Sequence, residues 1–384
     1  MKFSILLPTR NRLELLKFAI ESVRRQDCGD WELVVSDNAS DEDVGAYIHT
    51  LGDPRIRVHR SERLIPVTDN WNLALEMSVG DYVIMLGDDD ALLPSGLTTI
   101  KALIAKWRQP DAIYAQAMQY AYPGVIPGHP GALLQTGYNT FLDGRSNAFP
   151  LQRPTALEMV RAAMSFRILY GFNMQHFVVS RRLIDGLKGR GPFFQSPYPD
   201  YYAANAVLLT AKRLIATPQP FALIGISPKS FGFYYFNERE NEGVAFLRNV
   251  VDADILDCLR GEFVPGSNMN DSWLCAMQTL ARNFPDVVGS WVDFSRYRRL
   301  QYQELLRGGG RRAVLRVMRW REYPFYALAT VTLALLKVMP GRAVACIRSK
   351  LIHRWFTSSP RFDPHRRSVP YRNILEAAAH ANEG

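Results

Sequence analysis

Cysteine is scarce and scattered. The four present, Cys28, Cys258, Cys275 and Cys346, make no Cys-x-x-Cys pair. That excludes a zinc knuckle and a disulfide framework, and it favours a reducing compartment. Long hydrophobic runs are missing too. The most apolar stretch, residues 323–339, is seventeen residues long, at the lower limit for a membrane span. Arg311, Arg312, Arg316, Arg319 and Arg321 precede it and Arg342, Arg348, Lys350 and Arg354 follow, so it reads as an interfacial helix with snorkelling arginines. The apolar start of the chain, residues 3–8, is too short for a signal peptide and reads as a strand. There is no internal repeat and no low-complexity block. With 47% hydrophobic and 22% charged residues over 384 positions, the chain is long and apolar enough for one large domain with an appendage, or for two.

Negative charge is what the end of the chain has little of. From residue 311 onward there are 14 Arg and Lys against 4 Asp and Glu, or +10, so a total of +9 leaves the first 310 residues near −1. A near-neutral body with a basic tail implies an anionic partner. The apolar centre of that tail fits a membrane surface better than a nucleic acid.

The first hundred residues alternate between two periods. Strands are expected at 3–7, 31–36, 56–59 and 81–86, with Pro8 ending the first. Helices are expected at 13–25, 42–51 (capped by Ser40 or Asp41) and 68–77. Such alternation predicts a parallel, doubly wound sheet with its strand ends on one rim. Further on the pattern gives a helix from Pro94 to Trp107, a strand at 111–120 and a long Gly- and Pro-rich loop at 122–153. It then gives a helix at 153–164, a strand at 176–180, a helix at 201–210, strands at 212–216 and 221–226, and mostly helix over 241–281.

The most informative run is Tyr82-Val83-Ile84-Met85-Leu86-Gly87-Asp88-Asp89-Asp90. A buried strand ends in three adjacent carboxylates, where open α/β sheets place their ligand crevice. Three adjacent acids repel unless a cation neutralises them. A divalent metal carrying phosphate oxygens is the economical candidate.

Ser4-Ile5-Leu6-Leu7-Pro8-Thr9-Arg10-Asn11-Arg12, then Val34-Val35-Ser36-Asp37-Asn38-Ala39-Ser40-Asp41, then Gly80-Asp81-Tyr82 leading into Leu86-Gly87-Asp88-Asp89-Asp90, together resemble a family 2 glycosyltransferase. The resemblance covers residues 1–120 firmly and 150–230 loosely. It implies a GT-A fold (α/β, a doubly wound, mainly parallel sheet flanked by helices); the C-terminal region, which the resemblance does not reach, reads as mostly helical from its own pattern. It implies a nucleotide-sugar donor carrying UDP, GDP or dTDP, and Mn2+ or Mg2+ as cofactor. Pro8, Thr9 and Arg10 would then face the nucleotide. Asp37, an acceptor of hydrogen bonds only, would read the ring N–H of a pyrimidine, with Asn38 beside it. Asp88 would contact the ribose or a metal-bound water, Asp90 would ligate the metal directly, and Asp89 would line the rim between them. Asn72 corresponds to a family asparagine near the donor, although Trp71 stands where the family often has arginine.

Inverting transfer needs a base on the acceptor side. Asp200, in Ser196-Pro197-Tyr198-Pro199-Asp200 before a helix, is the residue the resemblance offers; a plain helix cap is the competing reading. Lys229 or Ser230 is the candidate diphosphate contact. His176 lies in an apolar strand and reads as a core histidine. Tyr234-Tyr235 and residues 124–144 are candidates to flank a sugar acceptor. The expected divisions are a glycosyltransferase domain at 1–230, with its halves meeting at 120, a helical extension at 231–310 and the basic tail at 311–384. The expected enzyme is a metal-dependent, inverting transferase acting on a glycan or lipid-linked acceptor. It would sit in the cytoplasm, peripherally on the inner face of the plasma membrane, with no nucleic acid as partner. Two rivals stand beside it: a sugar-phosphate nucleotidyltransferase, disfavoured because no glycine follows the first strand, and a non-catalytic membrane-surface protein on a degenerate scaffold.

Overall fold

The computed structural model describes residues 1–137, 139–237, 239–240, 242–243, 252–307, 311–324, 327, 331 and 368–381. Its first part alternates as the periodicity requires: β1 (Phe3–Thr9), α1 (Leu13–Arg24), β2 (Trp31–Asp37), α2 (Val44–Leu51), β3 (Ile56–Arg60), α3 (Val67–Glu76), β4 (Tyr82–Met85), β5 (Ala91–Leu92) and α4 (Gly96–Lys106). β1 pairs in parallel with β2 and β4, and β2 with β3. Successive strand residues face opposite sides. Phe3, Ile5 and Leu7 therefore join Leu33, Val35 and Ile84 in a core closed by α1, α2 and α4, while α3 packs on β1 and β2.

Several boundaries differ from the periodicity. β1 continues through Pro8 to Thr9. Leu6 already points its carbonyl toward β4, at Leu86 N. Pro8 faces the same side two residues on, beyond Met85 where the β1–β4 pairing ends, so its missing N–H leaves no ladder bond unmade. α2 is capped by Asp43, which accepts from Ala46 N. Ser40 and Asp41 instead bond Asn11, tying the β1–α1 turn to the β2–α2 turn.

The run 111–120 is two strands, not one. β6 (Ala112–Ala115) and β7 (Met118–Ala121) lie in different sheets. The chain crosses between them at Gln116, whose N–H bonds Thr217 O. The expected loop 122–153 contains β8 (Leu133–Thr136) and β9 (Phe149–Pro150). α5 (Arg153–Met164), β10 (Phe177–Ser180), α6 (Arg181–Leu187), α7 (Pro199–Thr210), β11 (Leu214–Thr217), β12 (Ala222–Ile226) and α8 (Phe231–Phe236) follow.

The large sheet runs β3-β2-β1-β4-β10-β6-β11-β9, and a smaller one runs β5-β12-β7-β8. β10 is antiparallel to both its neighbours, so the sheet is parallel on the β3-to-β4 side and mixed beyond it. Hydrophobic periodicity carries no strand direction, which is why the sequence does not reveal this.

The chain forms two compact units. One holds the described residues of 1–160, 169–250 and 362–384; the other holds those of 161–168 and 251–361. The first unit thus runs past residue 230 and takes in the last helix. The second is helical: α9 (Ala253–Cys258), α10 (Asn268–Asn283), α11 (Pro285–Val288), α12 (Phe294–Arg307) and α13 (Arg311–Val317). Its core stacks Phe166 against Trp273 and Tyr297. α14 (Ile374–His380) packs in the first unit against α1, β5 and β12. Most of the apolar stretch 323–339 lies outside the described residues. Among the described residues no helix is long and apolar enough to cross a membrane.

Candidate active site

The carboxyl ends of β1, β2 and β4 bring Thr9, Asp37 and the acidic loop to one rim. All three acids of the loop are buried, and each is held differently. Asp88 accepts from Thr9 Oγ1 (2.8 Å) and pairs with Arg12 Nη1 (2.8 Å). Asp89 accepts from Ser227 Oγ at 2.7 Å. Asp90 is bonded on both oxygens: Oδ2 accepts from Gly87 N (2.6 Å) and Gln175 Nε2 (2.7 Å), and Oδ1 from Gly225 N (2.8 Å).

The charge balance of the loop is unfavourable to full ionisation. Burial, with Asp88 beside it, raises the Asp89 carboxyl even though Arg12 acts to lower it. Burial and then Asp89 push Asp90 up to about 7, against its three donors. Arg12, which burial alone would weaken, is held fully protonated by Asp88 and Asp89. A second hydrogen bond from Arg12 reaches Lys229 O, and Lys229 Nζ donates to Asn11 O at 2.6 Å. The turn after β12 is thereby fastened to the turn after β1, with Lys229 beside the loop. Ser230 Oγ donates back to Ser227 O.

Asp37 is fully buried. Its Oδ1 accepts from Ser40 N at 3.0 Å. Its Oδ2 has no hydrogen bond among the described residues and faces Arg60 Nη1 at 3.8 Å. Asn38, beside it, uses both amide atoms on the backbone of Ile65. Asn72 does the same to Phe194, giving to its carbonyl and accepting from its N–H. Thr68 donates to Ser196 O. The two α3 side chains therefore grip the segment leading to Asp200.

That segment is strained: Ser196 is a non-glycine residue at φ 73, a conformation concentrated at functional sites. Asp200 is the second residue of α7, with Pro199 at the first position and Tyr198 as N-cap. Its Oδ1 accepts from Tyr201 N at 3.0 Å, so it is not the cap itself. Desolvation at this helix start pushes its carboxyl up to about 7. Tyr198 and Phe172 both pack on Tyr201 next to it.

His176 is a core residue. Its Nδ1 lies 2.9 Å from Ala115 O, its ring stacks on Tyr114, and burial lowers its pKa to about 4. The structure thus gathers Thr9, Asp88, Asp89 and Asp90, with Pro8 just behind and Asp37 on the adjoining strand end. Arg10 follows Thr9 at the rim. Sequence reasoning gave no role to Arg12, Gln175, Gly225 or Ser227, which hold the acids in place. One signal was there for Gly225: a glycine inside an apolar strand marks close backbone approach.

Residues 4–156 match the family model described as glycosyl transferase family 2. The match runs from β1 to the start of α5. A GalNAc(5)-diNAcBac-PP-undecaprenol β-1,3-glucosyltransferase of Campylobacter jejuni is 36% identical over 102 residues, which is 26% of this chain and 33% of that protein. A putative colanic acid biosynthesis glycosyl transferase of Escherichia coli is 31% identical over 134 residues, 33% of this chain and 48% of that one. The chain therefore spans a third to a half of these relatives' length. The crystal structure of Staphylococcus aureus TarS 1–349 in complex with UDP-GlcNAc aligns with a TM-score of 0.51 at 14% identity, covering 92% of this chain and 87% of that one. That likeness is one of fold, and it agrees with the GT-A architecture expected from the motifs.

The metal reading can be weighed against the donor set. Among the described residues no group of three His, Cys, Asp or Glu side chains is arranged as a preformed cage. Mg2+-type sites do not need one, because one or two carboxylates and the substrate's phosphates complete them. Buried carboxylates with raised proton affinity and one ion-paired arginine fit a cation that arrives with its diphosphate.

Gly225 tests how tightly this loop is held. A methyl there would lie 1.8 Å from Asp89 O. Gly225→Ala should lower stability by about 1–3 kcal/mol, read as a fall in melting temperature. An unchanged melt would show that β12 is not pressed against the loop.

Proposed function

We propose that the protein is a glycosyltransferase that moves a sugar from a nucleotide-diphosphate donor to a hydroxyl of a glycan or lipid-linked acceptor, in surface-polysaccharide-type synthesis, with inversion at the anomeric carbon. The observation that carries this is the buried carboxylate loop at the strand ends, short of positive charge, in a chain whose residues 4–156 match the family. The named glycosyltransferase relatives support it.

In this reading the free Oδ2 of Asp37 takes the ring N–H of the base. Thr9 and Arg10 line the nucleotide, and Asp88 turns toward the ribose and the metal. Asp90 and Asp88 are the metal-side carboxylates and Asp89 lines the rim. A bound Mn2+ or Mg2+ would neutralise charge on the departing diphosphate. Lys229 adds a cation at the same edge. Asp200 takes the acceptor's proton as its oxygen attacks from the face opposite the diphosphate. Asn38 and Asn72 act by holding backbone around the nucleotide and before Asp200, rather than by touching donor.

Thermal shift separates the possibilities. UDP-, GDP- or dTDP-sugar with Mn2+ should raise the melting temperature for one nucleotide class, and Asp88→Asn should abolish the rise. No rise with any donor would sink the reading.

The base role has its own signature. Asp200 must be deprotonated to act, and its carboxyl is held up at about 7. Activity should therefore climb as pH rises through about 7 and fall below it. Asp200→Asn should lower kcat by about 10²–10⁴-fold with donor binding intact. A variant that keeps both the rate and the acidic limb would remove Asp200 from the chemistry.

A second reading concerns location. Trp320 is 74% exposed, and Leu315, Tyr323 and Val331 are exposed near it. Arg312, Arg316 and Arg321 are exposed among them, with the Arg321 guanidinium over the Trp320 ring. Exposed aromatics among arginines suit the interface of an anionic bilayer. The protein would then work peripherally on the cytoplasmic membrane face. Vesicles containing anionic lipid should co-sediment with the protein and neutral ones should not, with Trp320→Ala weakening the association. Equal sedimentation with both vesicle types would overturn it.

A further inference from the structure

The carboxylate loop rests on a segment from the far end of the chain. Val369 forms an antiparallel bridge with Ala132, at the start of β8, its N–H bonding Ala132 O at 2.9 Å. Before it, Ser368 lies so close to Gly131 that a methyl on that glycine would come within 2.5 Å of its hydroxyl. Tyr120 Oη donates to Tyr371 O at 2.8 Å. Asn373 caps α14 by accepting from Glu376 N, and the Tyr371 ring stacks on His380 at the helix's other end. The start of the segment is thus docked on β7 and β8, and Ala381 at its other end is buried in the same apolar cluster as Leu133 and Leu223.

Ile374, Ala377 and Ala378 are buried in an apolar cluster with Ala91 and Leu93, just after the acids, and with Leu223 and Ile226 on β12. The key position is Gly225. Its backbone approaches Asp89 O and gives its N–H to Asp90 Oδ1. A methyl on this glycine would meet both Asp89 O, at 1.8 Å, and Ile374 Cδ1, at 3.1 Å. The acidic loop and the last described helix therefore meet on one face of β12, at Gly225.

We propose that residues 368–381 form a strap that positions the carboxylate loop for the donor, with Ile374 as the positioning residue. This rests on the function proposed above. Ile374 touches no donor. It acts at Gly225, because a gap on that face lets the loop shift at Asp89 and loosens the bond that fixes Asp90. Packed contacts of this kind transmit to a site only where they are dense enough to leave few alternative arrangements.

The test uses the full chain with Ile374→Ala, and Ile48→Ala as a control that opens the main core beneath α2. Amide exchange is followed without ligand, and donor affinity is measured by calorimetry with Mn2+. In Ile374→Ala, exchange should quicken at residues 87–93 and at Gly225, and the donor Kd should rise roughly three- to thirty-fold. The control should lose stability while leaving both readings near wild type, and Ile374→Val should recover most of the affinity. Unchanged exchange at the loop, or an equal loss of affinity in the control, would overturn the strap. If wild-type protein binds no donor at all, the proposed function fails, and the exchange comparison still decides whether the strap holds the loop.

Discussion

Everything at this site depends on keeping three adjacent carboxylates out of bulk water. A buried carboxylate without hydrogen bonds is strongly unfavourable. This chain answers with donors from widely separated segments: Thr9 at the end of β1 and Arg12 after it, Gln175 before β10, Gly225 on β12 and Ser227 beyond it. The loop also joins the two sheets, since β4 belongs to the larger and β5 to the smaller. The chain crosses between the same sheets from β6 to β7 and from β11 to β12. The acids therefore sit at a seam, where main-chain N–H groups from the opposite sheet can reach them. A loop inside a single sheet would have met no such donors.

Much of this was legible in the sequence, and the reason is locality. Strand and helix periods over the first hundred residues give the right elements, because each period is set by neighbours a few positions away. The carboxylates are adjacent in sequence, so their mutual repulsion is visible before any fold is known. What failed to show was long-range. The run 111–120 reads as one mostly apolar strand, and Gln116 alone does not tell it to break there and change sheets. β10 carries no mark of its direction. The donors that satisfy Asp90 are two backbone N–H groups and one amide, and a backbone group has no sequence signature except the glycine that allows the approach.

The asparagines and Asp37 show the same limit from the other side. A residue type suited to a nucleotide is equally suited to a turn. Asn38, Asn70 and Asn72 each bond in both directions, to Ile65, Ser36 and Phe194 respectively. Their hydrogen-bonding capacity is taken up in shaping loops. Asp37 differs because its satisfaction is uneven: one oxygen closes the turn at Ser40 and the other is buried without a hydrogen bond. A buried acceptor with no hydrogen bond and only a 3.8 Å ion pair to Arg60 is under-satisfied in the free protein, and a ligand N–H would relieve it. That asymmetry, not the identity of the side chain, separates a reader of ligand from a fastener of backbone.

The same reasoning separates Asp200 from Asp90, although burial raises both carboxyls to about 7. Asp90 has three donors spread over its two oxygens, two of them main-chain groups that also fix β12 and the turn at Gly87. Taking up a proton would break bonds that hold the loop. Asp200 bonds backbone N–H groups at the start of α7, among them Tyr201 N, and no distant strand or loop is fastened through it among the described residues. A helix N-terminus favours the anion, while desolvation favours the neutral form. The balance lies where a base can both take and release a proton near neutrality. Two carboxyls with similar proton affinity thus have different chemistry open to them, because one is built into the frame and the other is only supported by it.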